Sequence, residues 1–364
     1  MKLTARPALL LNSPLGCLGN VPFSGARLAD SGRGSLTEGV RQPTELLPNL
    51  PYRLLLAACA TLGAVGLVAP GLGAQASCPV IIDAHQHANP APATFGESPP
   101  NRPCLPSASA CASRPARHRT SEALRAGTLA AMDRLGIQRA VVSTADTVNL
   151  ERWITQAPTR FLPGFSWGPD RPPPAIGLLR ARHAAGRLAV LGELGPQYAG
   201  MLPSDTLLAP YFALAEELDI PVLLHMTAVG GTAPGYTAAA GRPLALEPVL
   251  KRHPRLRVYL ENSGYPFGDE MVALFAQYPN VYGDLSRISW YLPPAAFHDY
   301  LRKLVRSGHG DRLMFGSDQA WWPEVIEEAV ASIQAATFLT RAERCAILGG
   351  NAVRFFRLEA APGR

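Results

Sequence analysis

The sequence predicts a distorted (β/α)8, or TIM, barrel, and three observations carry that prediction. From Val80 onward, eight short runs rich in β-branched residues alternate with helical stretches. No Gly-x-Gly-x-x-Gly follows the first run, as the phosphate turn of a doubly wound open sheet would require. Side chains able to do chemistry fall at the ends of the runs, where such a barrel keeps its active site.

The first strand is "VIIDAHQH" at 80, whose period of two would put Asp83, His85 and His87 on one face. The next are "AVVST" at 140, "FLPGFSW" at 161 and "AVLGELG" at 189. They are followed by "IPVLLHM" at 220, "RVYLENSG" at 257, "VYGDLSR" at 281 and "LMFGSDQ" at 313. Helical segments between them include "SEALRAGTLAAMDRLG", "LAPYFALAEELD" and "PAAFHDYLRKLVRSG", and "NAVRFFRL" near the end reads as a packing helix. The first connection, 88–120, is long and rich in Pro, Ser and Ala, which suits a lid over the barrel mouth; "GGTAPGYTAAAGRP" after the fifth strand is a second candidate.

The 364 residues are 47% hydrophobic and 17% charged, enough for a large core. Half of the net charge of +6 lies before Ser77; without that segment 28 basic residues face 25 acidic ones. So even a balance, with no basic run interleaved with aromatics, argues against a nucleic-acid partner. Residues 1–76 form an N-terminal extension, and 77–364 the barrel. The extension ends in "YRLLLAACATLGAVGLVAPGLGAQA": Arg53, an apolar run, and Ala74-x-Ala76, the pattern of a secretory signal cleaved after Ala76. Its late position fits a gene start nearer Val40. The expected location is therefore outside the cytoplasm, in the periplasm, with no stable membrane span after cleavage. The alternatives are a membrane anchor through 54–74, which Pro70 and the glycines disfavour, and lipid attachment at Cys59. Downstream, Cys104 and Cys111 could close a loop disulfide or stay as free thiols.

The strand ends read in order as His85 and His87 on the first, Glu193 on the fourth and His225 on the fifth. Glu261, a candidate substrate contact, and Asn262 follow on the sixth and Asp318 on the eighth. Histidines and a carboxylate gathered at the tips of strands one, five and eight point to a shared divalent metal, zinc before manganese. Glu193 is a further ligand, an orienter of a histidine, or a substrate contact. Asn262 could donate to a carbonyl or oxyanion but cannot carry a proton. Arg287 either binds a substrate carboxylate, pairs with Asp284, or lies on the surface. Trp321 and Trp322 form a substrate wall or pack a loop against the following helix.

The segments "DAHQH", "LGELGPQY", "LLHM", "YLENSGYP" and "LMFGSDQAWWPE" together make the chain from Val80 to about Leu358 resemble the amidohydrolase superfamily. The likeness is to its amidohydrolase-related branch, which also contains aromatic-acid decarboxylases and lactonases. The resemblance implies His85, His87, His225 and Asp318 as ligands, with Asp318 also the base that takes a proton from water. The lysine that bridges two metals in many members has no counterpart in "GELG", which favours a single ion. Strand six carries Glu261-Asn262 where many relatives have a histidine. The implied activity is hydrolysis of a small amide, lactone or ester. The alternatives are decarboxylation of an aromatic or enoic acid, and a barrel that binds a ligand without turnover. A homo-oligomer is compatible with the sequence, which carries no signal for or against one.

Overall fold

A computed structural model of the chain describes residues 78–91, 118–168, 171–228 and 235–359. By its internal contacts the chain divides into Met1–Gly71 and Leu72–Arg364, and everything described lies in the second unit. The export signal, the anchor alternative, Cys104, Cys111 and most of the first lid candidate fall outside the described residues. Among the described residues no helix is long and apolar enough to cross a membrane.

Eight strands lie in one parallel sheet in chain order: β1 Ile82–His87, β2 Arg139–Thr144, β3 Phe161–Trp167, β4 Val190–Leu194, β5 Val222–Leu224, β6 Val258–Leu260, β7 Val281–Asp284 and β8 Leu313–Met314. Parallel neighbours need crossovers, and helices supply them. These are α1 Ser121–Leu135, α2 Thr147–Gln156, α3 Ile176–Ala184, α4 Ala209–Glu217, α5 Glu247–Arg252 and α6 Gly268–Gln277. After β7 come α7 Ile288–Tyr291 and α8 Pro294–Leu304, and after β8 α9 Glu324–Gln334, α10 Arg341–Cys345 and α11 Asn351–Phe356. Helix α1 shows why the punctuation is local. Thr120 accepts from the Ala123 amide at its start, and Gly136 ends it in the left-handed conformation.

The last strand is short, so the seam closes through irregular backbone. The Ala84 amide donates to Phe315 O at 2.8 Å, His87 N to Gln319 O at 2.8 Å, and Asp318 N to His85 O at 2.9 Å. One apolar cluster fills the barrel interior: Ile82, Ala84, Val141, Val190, Leu223, Tyr259 and Met314, with Ala352 and Phe355 of α11. A larger one lies where the outward strand faces meet the helices. The packing helix expected at the C-terminus therefore also plugs the barrel.

Two expectations are corrected. Asp83 does not share a face with both histidines, because Ile82 and Ala84 belong to the interior cluster and β1 slips in register between Asp83 and Gln86. This irregularity re-aims His85 and His87, as bulges do beside active sites. Asp83 instead accepts from the Ser317 amide at 2.8 Å and from Gln86 Nε2 at 2.8 Å. The strands of the second half also stop earlier than their apolar runs suggest, before His225, Glu261 and Phe315. Beyond them the backbone turns: Asn262, Ser263 and Asp318 have positive φ, which no ladder accommodates.

Candidate metal centre

The strand ends bring two groups of metal-binding side chains together. His85, His87 and Asp318 offer ligand atoms within 4.8 Å of one another, and so do Glu193, His225 and Glu261. In the first, His85 Nε2 lies 3.2 Å from His87 Nε2, and Asp318 Oδ1 is 3.0 Å from His87 Nε2 and 3.9 Å from His85 Nε2. Glu193 reaches both groups. Its Oε2 is 3.6 Å from His85 Nε2 and 3.4 Å from His87 Nε2, while its Oε1 is 2.8 Å from His225 Nδ1. Glu261 Oε2 is in direct contact with His225 Nδ1.

Register explains the second group. Leu224 of β5 pairs with Leu260 of β6, so the next residues along, His225 and Glu261, come side by side. The His225 amide donates to Leu194 O at 2.8 Å, which ties it to the end of β4. Glu193 comes close because Gly192, at φ 146°, has no Cβ; one would collide with Leu223 of β5.

The donor set fits a cation. His85 Nδ1 donates to Asp284 Oδ2 at 3.1 Å, which orients the ring and turns Nε2 towards His87 and Glu193. Asp284 is anchored in turn, its Oδ1 accepting from the Asn262 amide at 2.8 Å and the Ser286 hydroxyl at 2.6 Å. Two donors about 2.1 Å from one ion at the tetrahedral angle lie about 3.4 Å apart. The observed 3.0 to 3.9 Å brackets that spacing.

The electrostatics point the same way. Burial works against charge on His85, yet Asp284 outweighs it and pushes the imidazole well above its usual range. Burial likewise opposes charge on His225, but Glu261 and Glu193 lift it to about 10. Burial raises Glu261 to about 7 despite the neighbouring imidazole. Glu193 is also buried, but its bonds to His225 and His85 hold it well below the usual carboxylate range. At Asp318 the bond from His87 likewise overcomes burial and lowers the carboxyl. The carboxylates thus draw protons onto the histidines, as a site that wants positive charge would.

The other expected residues are placed as follows. Asn262 is fully buried, its Nδ2 donating to Glu261 Oε1 at 3.0 Å and its Oδ1 accepting from the Ile288 amide at 2.9 Å. Both ends of its amide therefore have a partner in the chain. Glu261, expected as a substrate contact, stands instead among the ligand candidates at 2% exposure. Arg287 does not pair with Asp284, whose oxygens are taken by His85, Asn262 and Ser286. It sits just before α7, stacks over Tyr291 at 5.0 Å, and its field reaches Asp318. Its Nε is buried without a hydrogen-bond partner. Trp321 and Trp322 meet edge to face at 5.8 Å, and Trp322 is buried. The cysteine pairing is unanticipated: Cys78 and Cys345 form a disulfide.

Tyr198 escaped sequence reasoning, although "LGELGPQY" contains it. Its ring stacks on His225 at 4.5 Å and its hydroxyl lies 3.3 Å from His225 Nδ1. Burial, reinforced by Glu193 and Glu261, raises it well above the usual phenol range, so it stays neutral. Asp284 was weighed only as a partner for Arg287. Its place beside Gly283, which pairs with Leu260, was the available signal.

No curated protein matches the chain. Among solved structures it is similar to a putative 2-pyrone-4,6-dicarboxylic acid hydrolase from Pseudomonas putida, with a TM-score of 0.55 and 17% identity over 78% of this chain and 99% of that one. A zinc-bound amidohydrolase from Burkholderia multivorans gives 0.54 and 18% over 77% and 100%. A 2,6-dihydroxybenzoate decarboxylase in complex with 2,6-dihydroxybenzoate gives 0.52 and 15% over 78% and 100%. At these identities the likeness is one of fold. The sequence profile described as Amidohydrolase matches residues 82–358, from the first residue of β1 to just past α11. With that match across the whole barrel, the chain belongs to the amidohydrolase family.

Proposed function

We propose that the chain is a metal-dependent hydrolase of a small amide, lactone or ester that carries a carboxylate. The observation that supports it most is the meeting of His85, His87 and Asp318 at the strand ends, with His85 already oriented by Asp284. His85, His87, Asp318 and Glu193 would hold a divalent ion, zinc before manganese. Such an ion lowers the pKa of a bound water and polarises a carbonyl. Asp318, kept as a carboxylate, takes the proton of the attacking water and returns it to the leaving group. Arg287 binds the substrate carboxylate, its free Nε supplying a donor that no residue uses. Asn262 orients Glu261, and Tyr198 offers a neutral hydroxyl beside the reacting centre. Trp322 is buried and packs edge to face on Trp321.

Decarboxylation of an aromatic or enoic acid is the second reading, because Arg287 would hold that acid equally well. A function outside the cytoplasm is supported by the disulfide, since such bonds persist in oxidising compartments. The test is a product assay on carboxylated lactones, esters, amides and aromatic acids, beside Asp318→Asn. Hydrolysis should appear in the wild type and fall about 10²- to 10⁴-fold in the variant. Release of CO2 without hydrolysis would overturn the hydrolase reading, and full activity of Asp318→Asn would overturn the role of the base.

A further inference from the structure

We propose that Tyr236 is the specificity-determining wall of the pocket and that Gln197 is the positioning residue that holds it in place, so that the site selects carboxylated molecules by the apolar bulk they carry. The inference rests on the reading of the site as one for a small carboxylate. It adds a segment of this chain, the return of the connection after β5, that the reaction itself does not use.

Gln197 lies in the 3-10 turn Pro196–Ala199, just past β4, and is 1% exposed. A primary amide buried so deeply must find partners for both ends. Its Nε2 donates to Thr227 O at 2.5 Å and to the Tyr236 hydroxyl at 2.9 Å, while its Oε1 accepts from the Thr227 amide at 3.3 Å. The Tyr236 hydroxyl donates to Thr227 O at 2.6 Å, and the Thr237 amide to Gln197 O at 3.2 Å. One residue therefore ties together the exits of β4 and β5 and the returning segment. The approach is close: a Cβ on Gly235 would stand 3.0 Å from Tyr198 O. Expected from the sequence as a lid, the segment is fastened down from Gly235 onward.

Those bonds leave the ring as what Tyr236 presents, because its hydroxyl gives its proton to Thr227 O and accepts from Gln197. The ring stands edge to face with His225 at 6.4 Å and tilted by 50° on Tyr198 at 5.9 Å. The charges of Glu261 and Arg287 both reach its hydroxyl, which puts Tyr236 in the same pocket as the candidate ligands and the guanidinium. It is half-buried and belongs to neither apolar cluster, so its apolar surface is not spent on the core. Small-molecule pockets are walled by aromatic side chains around a few fixed polar groups. A wall fastened before the ligand arrives costs little ordering on binding. Arg287 grips the carboxylate, and Tyr236 meets the apolar part beyond it.

The experiment is calorimetric titration of the zinc-loaded full chain with acetate, butyrate and hexanoate, with metal content measured for each protein. Each added methylene should tighten binding about 2- to 4-fold in the wild type, and less than about 1.5-fold in Tyr236→Ala. A gain that persists in Tyr236→Ala would overturn the wall. So would loss of the ion from that variant, which would mean that the ring only supports His225. Gln197→Met keeps the bulk without the hydrogen bonds and should shrink the gain in the same way; the full wild-type gain there would overturn the positioning role. Should Gln197→Met fail to fold, Tyr236→Phe removes the bond to Gln197 from the other side and decides the same point. If none of the acids binds the wild type, the carboxylate reading of the site falls and the proposal with it. If they bind without a gain, that reading stands and the wall alone is overturned.

Discussion

Cys78, four residues before β1, is bonded to Cys345 at the end of α10, with a Cα–Cα distance of 5.1 Å and a sequence separation of 267. The bond encloses nearly the whole barrel. In the chain-entropy account, a loop of that length removes about 5.6 kcal/mol of freedom from the unfolded state at 25 °C. Native disulfides measured by removal more often give about 2–5 kcal/mol, since unfolded chains keep some order. For a barrel of this size the entropy of melting converts the larger figure to a fall in Tm of about 10 °C. The perturbation is Cys78→Ser/Cys345→Ser, compared with the parent by scanning calorimetry without reductant. Mass mapping must first find the Cys78–Cys345 peptide pair in the parent, because Cys104 and Cys111 could otherwise exchange with it. A Tm unchanged to within about 2 °C, in a parent proven to carry the bond, would refute the entropic reasoning. A parent with Cys78 free would refute the pairing itself.

Further outcomes follow from other contacts. Replacing Asp284 by Asn removes the carboxylate that fixes the His85 tautomer, and should weaken metal affinity about 10- to 100-fold in competition with a chelating dye; unchanged affinity would deny it the orienting role. Arg287→Met should raise KM for a carboxylated substrate about 10- to 100-fold and leave a neutral analogue unaffected, and equal losses on both would mean that the guanidinium does not bind the carboxylate. Phe355→Ala removes the ring that packs against Tyr259 and Tyr282 at 5.4 and 4.6 Å. A loss of about 3–5 kcal/mol is expected in urea unfolding; one below about 1 kcal/mol would show that α11 does not plug the barrel.

The barrel was legible because its strands are β-branched runs at regular spacing and because turn and cap residues mark the helix ends. Strand limits were not, since Phe315-Gly316-Ser317 reads as continuing β8 while its backbone serves the seam. The site was legible as a set of residue types: His85, His87, Glu193, His225 and Asp318 all come to the mouth. Their grouping was hidden, because it depends on register. That Glu261 stands beside His225 follows from Leu224 facing Leu260, a pairing that no periodicity in one sequence specifies. Asp284 and Tyr198 were obscured for a similar reason, as each acts through a partner more than 25 residues away. The Cys78–Cys345 bond joins two segments that no spacing rule connects.

The seam has a topological consequence. His85 and His87 come from the first strand and Asp318 from the backbone that follows the last, so an ion held among them joins the beginning of the barrel to its end. The disulfide makes the same join from the other end of β1. With an ion bound, the chain would be fastened into a ring twice, once covalently and once by coordination, and each fastening would answer to a different reagent. A reductant opens one and a chelator the other, and while either holds, the first and last strands cannot drift apart. Removing both should cost more than the two losses taken singly, because only then is the barrel free to unroll from its seam.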